Sequence, residues 1–195
     1  GALTVGLSNT PETPILTEFD VGLRIHASRR GWPTQSSTAA MALLVALGLR
    51  LATDSARAGE IAAALAGTPA LIDRTLAATD GAMAAIAASV AKAGTLFFAG
   101  AGPHFATACF GAAKIRELSP AHAMAFPLEE LHHYRLPKAG DPLFVVAPDA
   151  ASRERALDTA LVGAAEGARV FALLAHDDPA IAARVEAVVA LPAVD

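Results

Sequence analysis

One pattern constrains this chain more than any other. Short apolar runs recur along it, and each gives way to a turn signal and then to an Ala-rich stretch with helical periodicity. Residues 2–7 (ALTVGL) end in Ser8-Asn9-Thr10-Pro11, and residues 21–25 (VGLRI) run on toward Gly31-Trp32-Pro33. The same kind of run returns at 95–99, 121–126, 143–147, 170–174 and 188–191. Runs this short, rich in β-branched and aromatic residues, read as buried strands. Strands that alternate with helices cannot pair through hairpins, so the pattern predicts parallel sheets covered by helices on both faces. In such sheets ligands lie at the carboxyl ends of the strands, where strand order reverses.

The helices can be placed from the same reading. The cluster Thr34-Gln35-Ser36-Ser37-Thr38 supplies N-cap candidates for a helix running to about Ala52. Its apolar residues nearly encircle it, which predicts burial. Residues 57–92 are predicted as helical segments broken at Gly67-Thr68-Pro69 and Asp80-Gly81. Gly102-Pro103 opens another helix with proline at its first position.

Composition excludes some classes of function. Lys and Arg number 15 against 19 Asp and Glu, a formal net charge of −4 with no basic stripe, so no nucleic-acid partner is expected. The single cysteine, Cys109, cannot form an internal disulfide, so a reducing cytoplasm is the expected location. Its place on the helix predicts a buried packing residue. The longest apolar run, Ala39 to Leu49, is closed by Arg50 and is too short to span a bilayer, so no membrane partner is expected. No basic segment precedes an apolar stretch at the N-terminus.

Chemistry concentrates between residues 99 and 133. Gly100-Ala101-Gly102 is a G-x-G turn from strand to helix. It either closes a tight connection or brings backbone N–H groups to an anion, and His104 stands beside it. The glycine that a dinucleotide fingerprint requires is absent. Lys114 and Glu117 are three apart on the following helix and share a face. As a solvated pair they contribute roughly 0.2–0.5 kcal/mol. As an active-site pair, the ammonium keeps the carboxylate ionised and ready to act as a base. Glu129, Glu130, His132 and His133 share one turn. A histidine beside carboxylates moves protons near neutrality, and Glu-x-x-His also binds metal, although one such motif supplies only two ligands. The hydroxyls of Thr34 and Ser36 at a helix start are candidates for phosphate binding or for plain capping.

Several of these segments together resemble the sugar isomerase (SIS) family in its double-SIS form. They are GLSNTP at 6–11 with Glu18-Phe19-Asp20, FAGAGP at 98–103, GAAKIRELS at 111–119, and HAMAF at 122–126 followed by Glu130-Leu131-His132-His133. The resemblance covers nearly the whole chain. It implies two parallel sheets flanked by helices, of flavodoxin-like or Rossmann-like three-layer form, the first of them incomplete. Residues 1–55 then correspond to the end of the first subdomain, 56–93 to a helical connection and 94–195 to the second subdomain. The implied activity is aldose–ketose isomerisation or amino-sugar-phosphate deamination on a hexose or hexosamine 6-phosphate. The implied cofactor is none, since the substrate's own carbonyl is the electron sink. By the same resemblance Glu117 shuttles the proton between C1 and C2, and Lys114 stands near the sugar. His133 assists ring opening across a homodimer interface, and Trp32 and Thr34 lie near the sugar.

Departures from the family pattern favour other readings. E-L-K-H-G-P becomes Glu130-Leu131-His132-His133-Tyr134-Arg135, and H-A-E-A has Met124 at its acidic position. V-A-[SA]-T-K becomes Trp32-Pro33-Thr34-Gln35-Ser36, without the lysine, and no S-x-S-G-x-T phosphate loop is found. The expectation is an excerpt of a longer double-SIS protein. The alternatives are a non-catalytic sugar-phosphate-binding module and a metal hydrolase built on Glu129, Glu130 and His133.

Overall fold

The computed structural model describes residues 1–28, 34–134 and 136–193. The chain divides into two units, Gly1–Pro69 and Ala70–Asp195.

In the first unit β1 (Val5–Ser8) pairs in parallel with β2 (Val21–Arg24), Val5 opposite Val21. The single turn α1 (Pro14–Thr17) connects them. Its backbone lies directly on the strands. A Cβ on Gly6 would stand 1.9 Å from the Ile15 carbonyl oxygen, and one on Gly22 2.3 Å from that of Leu16, so only glycine fits at either place. Side chains pin both ends of the strand pair. Asp20 accepts from the Thr4 N–H (2.8 Å) and hydroxyl (2.7 Å). Asn9 exchanges two hydrogen bonds with the backbone of Ala27.

The long helix α2 (Thr34–Leu51) follows where its N-cap cluster placed it. It contains no buried residue, contrary to the expected burial; Met41, Leu44 and Leu51 are each more than half exposed. Two short strands offer too little sheet to cover an apolar helix all round.

The helix α3 (Ser55–Val90) is continuous, with Pro69 inside it, where breaks at 67–69 and 80–81 were expected. Alanine, the best helix former, carries the segment across the glycines and the proline. By length and composition alone α3 is apolar enough to cross a membrane. No uninterrupted apolar run marks it in the sequence, because Arg57, Glu60, Asp73, Arg74 and Asp80 divide its alanines.

The second unit is a five-stranded, all-parallel sheet. Its strands are β3 (Thr95–Gly100), β4 (His122–Pro127), β5 (Pro142–Val146), β6 (Arg169–Leu174) and β7 (Ala187–Ala190), in spatial order β4-β3-β5-β6-β7. The crossovers are α4 (Pro103–Leu118), a 3-10 turn at Leu128–Glu130 with α5 (Leu131–Tyr134), α6 (Arg153–Ala165) and α7 (Pro179–Ala182). This is the doubly wound arrangement the alternation predicts.

Period-2 alternation sends side chains to two cores. Phe97, Leu143, Val145, Val170 and Ala172 meet Ala156 and Ala160 of α6 on one face. On the other, Phe144, Phe171 and Val189 meet Ile86 and Val90 of α3 and Ala112 of α4. Phe98, Phe144 and Phe171 stand opposite one another in register and stack across three strands, with ring centroids 5.0 and 5.3 Å apart. Arg169 ties α3 to this sheet, donating to the Ser89 carbonyl (2.7 Å) while its Nε holds Glu186 (2.9 Å). Cys109 is exposed, not buried: α4 turns Ala108 and Ala112 inward, and the residue next to Ala108 points about 100° away.

Candidate functional site

The helix α4 carries a group of interest at each end. At its start β3 leaves the sheet through Gly100, where a Cβ would sit 2.3 Å from the His104 carbonyl oxygen. That contact is with backbone, so glycine is required for the first turn of α4 to fold back on the strand. Gly102 sits in the left-handed region (φ 51°). The His104 N–H donates to the Ala101 carbonyl (2.9 Å) and that of Phe105 to the Gly102 carbonyl (3.1 Å). Both N–H groups are used within the turn, which is the tight-connection reading of G-x-G.

The His104 imidazole bonds through Nε2 to Oδ2 of Asp149. Asp149 follows β5, and its Oδ1 accepts from the Ser152 N–H at 2.7 Å. Burial pushes the Asp149 carboxyl up. The Ser152 N–H and hydroxyl and the His104 ring outweigh this, and the net position is below the usual aspartate range. Sequence reasoning found His104 and missed Asp149, 45 residues away, because only the β3–β5 pairing joins them. The available signal was an aspartate just beyond a strand's carboxyl end, beside the point where strand order reverses. Along the same edge His176 Nδ1 lies 3.4 Å from the Pro148 carbonyl oxygen. Asp178 has a fully buried side chain. It ion-pairs with Arg153 Nε at 2.5 Å and accepts from the N–H groups of Ala180 and Ile181 at the start of α7.

Toward the other end of α4, Lys114 Nζ donates to Glu117 Oε2 at 2.6 Å, and the ammonium lies 5.3 Å from the Phe110 ring centroid. The two side chains are 26% and 32% exposed, against 69% and 65% for the ordinary surface pair Arg57–Glu60. Lys114 also borders an apolar groove of about 810 Å³, lined among others by Ile86, Val90, Leu96, Phe98 and Phe144. The ammonium borders this groove, and the Glu117 carboxylate stands exposed beside it, within reach of a ligand as a base needs to be.

The other candidates lie elsewhere. His133 is exposed on α5. Glu129 pairs with Arg155 Nε at 3.0 Å. Among the described residues no three His, Cys, Asp or Glu side chains come together as metal ligands. Thr34 and Ser36 form the first turn of α2 in the first unit, and both are half-buried. Trp32 lies outside the described residues.

The second unit thus brings Lys114 to Glu117, and Gly100 and Gly102 to His104, but does not join the two groups. Ten to thirteen helical residues separate them, about 15–20 Å of rise. Nor does it bring His133 to Glu117. The helix α4 runs antiparallel to its strands and delivers Glu117 to their amino edge. His133 follows β4 at the carboxyl edge, about 20 Å of strand away.

No family model matches the chain. A glutamine–fructose-6-phosphate aminotransferase (isomerizing) from Caulobacter vibrioides is 32% identical over 149 residues, which is 72% of this chain and 24% of that protein. The chain therefore spans about a quarter of that relative's length. The C-terminal domain of the glucosamine-fructose-6-phosphate aminotransferase from Francisella tularensis superposes with a TM-score of 0.81 at 22% identity, covering 98% of this chain and 56% of that one. A protein from Silicibacter pomeroyi described as a phosphosugar isomerase superposes with a TM-score of 0.76 at 25% identity, covering 100% of this chain and 56% of that one.

Proposed function

For a chain homologous to the isomerase domains of glutamine–fructose-6-phosphate aminotransferases, with the SIS fold of phosphosugar isomerase domains, we propose an aldose–ketose isomerase or amino-sugar-phosphate deaminase of hexose or hexosamine 6-phosphates. The observation that carries this reading is the Lys114–Glu117 ion pair, whose lysine borders the apolar groove. Glu117 takes the proton from the carbon beside the carbonyl, the electron pair moves onto the carbonyl oxygen, and an enediol or enolamine results. Returning the proton to the neighbouring carbon completes isomerisation. Reprotonation of the enolamine at C1 gives an imine at C2, and its hydrolysis by water releases ammonia and completes deamination. Lys114 holds Glu117 in place and offers positive charge to the developing oxyanion. His133 opens the pyranose ring in the site of a second protomer, which agrees with its distance from Glu117 in its own chain. Residues 1–55 belong to the end of a first subdomain and 94–195 to a second, joined through 56–93, in a cytoplasmic homodimer.

The test is solvent deuterium exchange at C2 over a panel of hexose and hexosamine 6-phosphates, with the intact protein. Exchange is expected for one of them. Glu117→Gln keeps the shape but cannot accept the proton, and is expected to lower exchange about 10²–10⁴-fold with binding largely kept. The altered residues after His133 and the absent loop lysine favour a second reading, a sugar-phosphate-binding module without turnover. Saturable binding without exchange in the wild type would establish it and sink the enzyme reading.

A further inference from the structure

We propose that the carboxyl edge of the five-stranded sheet is a second ligand site, separate from Lys114–Glu117, where the His104–Asp149 pair takes a neutral, polyhydroxylated small molecule through a hydroxyl hydrogen-bonded to His104 Nδ1. The place is the reversal of strand order: the chain leaves β3 outward to β4 and returns on the other side as β5. His104 stands beyond the end of β3 and Asp149 beyond the end of β5, so the pair bridges the crevice that opens there.

The chemistry follows from which nitrogen the carboxylate holds. An ionised Asp149 can only accept, so Nε2 carries the proton, and in the neutral ring Nδ1 is left as an acceptor. Among the described residues no hydrogen bond engages Nδ1. The side chain is 21% exposed, so the ring is held and partly reachable. Along the same edge, a cavity of about 350 Å³ at the ends of β6 and β7 is lined by His176, Asp177 and Asp178. That volume lies within the range of small-ligand sites. His176, in the wall of this cavity, reaches the carbonyl of Pro148, the residue before Asp149.

Charge selects the ligand. Asp177 is exposed at this edge and Asp149 stands at the pair, while Asp178 is buried and neutralised by the guanidinium of Arg153. The first N–H groups of α4 are spent inside the turn. A phosphate would meet carboxylates with no free cation among these groups. A hydroxyl suits Nδ1 as donor, and the exposed Asp177 carboxylate is a further acceptor along the edge. About 20 Å of helix separates this site from Glu117, so it does not serve the same reacting carbon within one chain.

The test uses the intact protein with ¹⁵N-labelled histidine, titrated with D-glucose, D-fructose and glucose 6-phosphate. The neutral sugars are expected to shift the His104 Nδ1 resonance saturably, with glucose 6-phosphate binding there about tenfold more weakly or less. Glu117→Gln removes the proposed isomerase base and is expected to leave this titration unchanged, which separates the site from the proposed activity. Asp149→Asn still accepts from the Ser152 N–H but donates to Nε2, driving the ring proton to Nδ1. The amide spectrum is expected to stay native while sugar affinity falls about tenfold or more. His104→Phe keeps a ring without nitrogens and should abolish the calorimetric binding signal. A non-saturable response, tighter binding of the phosphate at His104, or undiminished affinity in either variant overturns the proposal.

Discussion

Asp178 shows how much one residue can fix. Its buried carboxylate caps α7 and holds Arg153. Burial pushes its carboxyl up, but the Ile181 N–H and Arg153 outweigh this and hold it below the ordinary value of 3.8. Asp149, Asp20 and Glu186 are lowered as well, Glu186 chiefly by Arg169 and Asp20 by the backbone of Thr4. A carboxyl with a lowered folded pKa contributes stability above its unfolded pKa and loses it as pH falls through the folded value. Urea midpoints are therefore expected to hold steady from about pH 7 to 5 and to fall steeply below about pH 4. Asp178→Asn should lower the neutral plateau and flatten that acid fall. A variant curve parallel to wild type would contradict the assignment. At this scale the sequence was legible where partners are near. Lys114 and Glu117 were paired by helical spacing alone. Asp149 and Asp178 meet His104 and Arg153 through tertiary pairing, which spacing does not encode.

Elements were read more reliably than contacts, and the misses have physical causes. Every strand of the larger sheet is visible as an apolar run, most clearly the central strand β5, which is buried on both faces and has nowhere to put polar side chains. The apolar circumference of α2 led to an expectation of burial that two strands cannot meet. In α3, glycine and proline read as breaks, yet alanine on both sides kept the helix whole. The junction of β3 and α4 yields a sharp prediction. In Gly100→Ala the new Cβ collides with a backbone oxygen, so relief must displace the first turn of α4. A loss of roughly 1–3 kcal/mol is expected, seen by urea denaturation, together with a weakened His104–Asp149 contact seen in the imidazole ¹⁵N shifts. Leu143→Ala, at a fully buried position on β5, is expected to cost about 2–5 kcal/mol and to leave those shifts in place.

For the whole molecule, the placement of Glu117 and His133 at opposite edges of one sheet leads to a complementation experiment. If the site is shared between protomers, Glu117→Gln and His133→Asn subunits, each impaired alone, should regain activity when co-assembled, because a mixed dimer holds one site with both groups intact. Failure to recover in verified mixed dimers would place both groups within one chain. The parallel sheet has another consequence, for the order in which the protein acquires its shape. The helix α4 and the β3–β4 pair form from nearby chain, Leu96 opposite Ala123. The pairing of Phe97 with Leu143 must close a loop of 46 residues (143 minus 97) before the Phe98–Phe144–Phe171 stack can assemble. Folding of this unit should therefore start at β3–α4–β4 and be paced by the arrival of β5. Mutations in the aromatic stack would then speed unfolding while barely slowing folding.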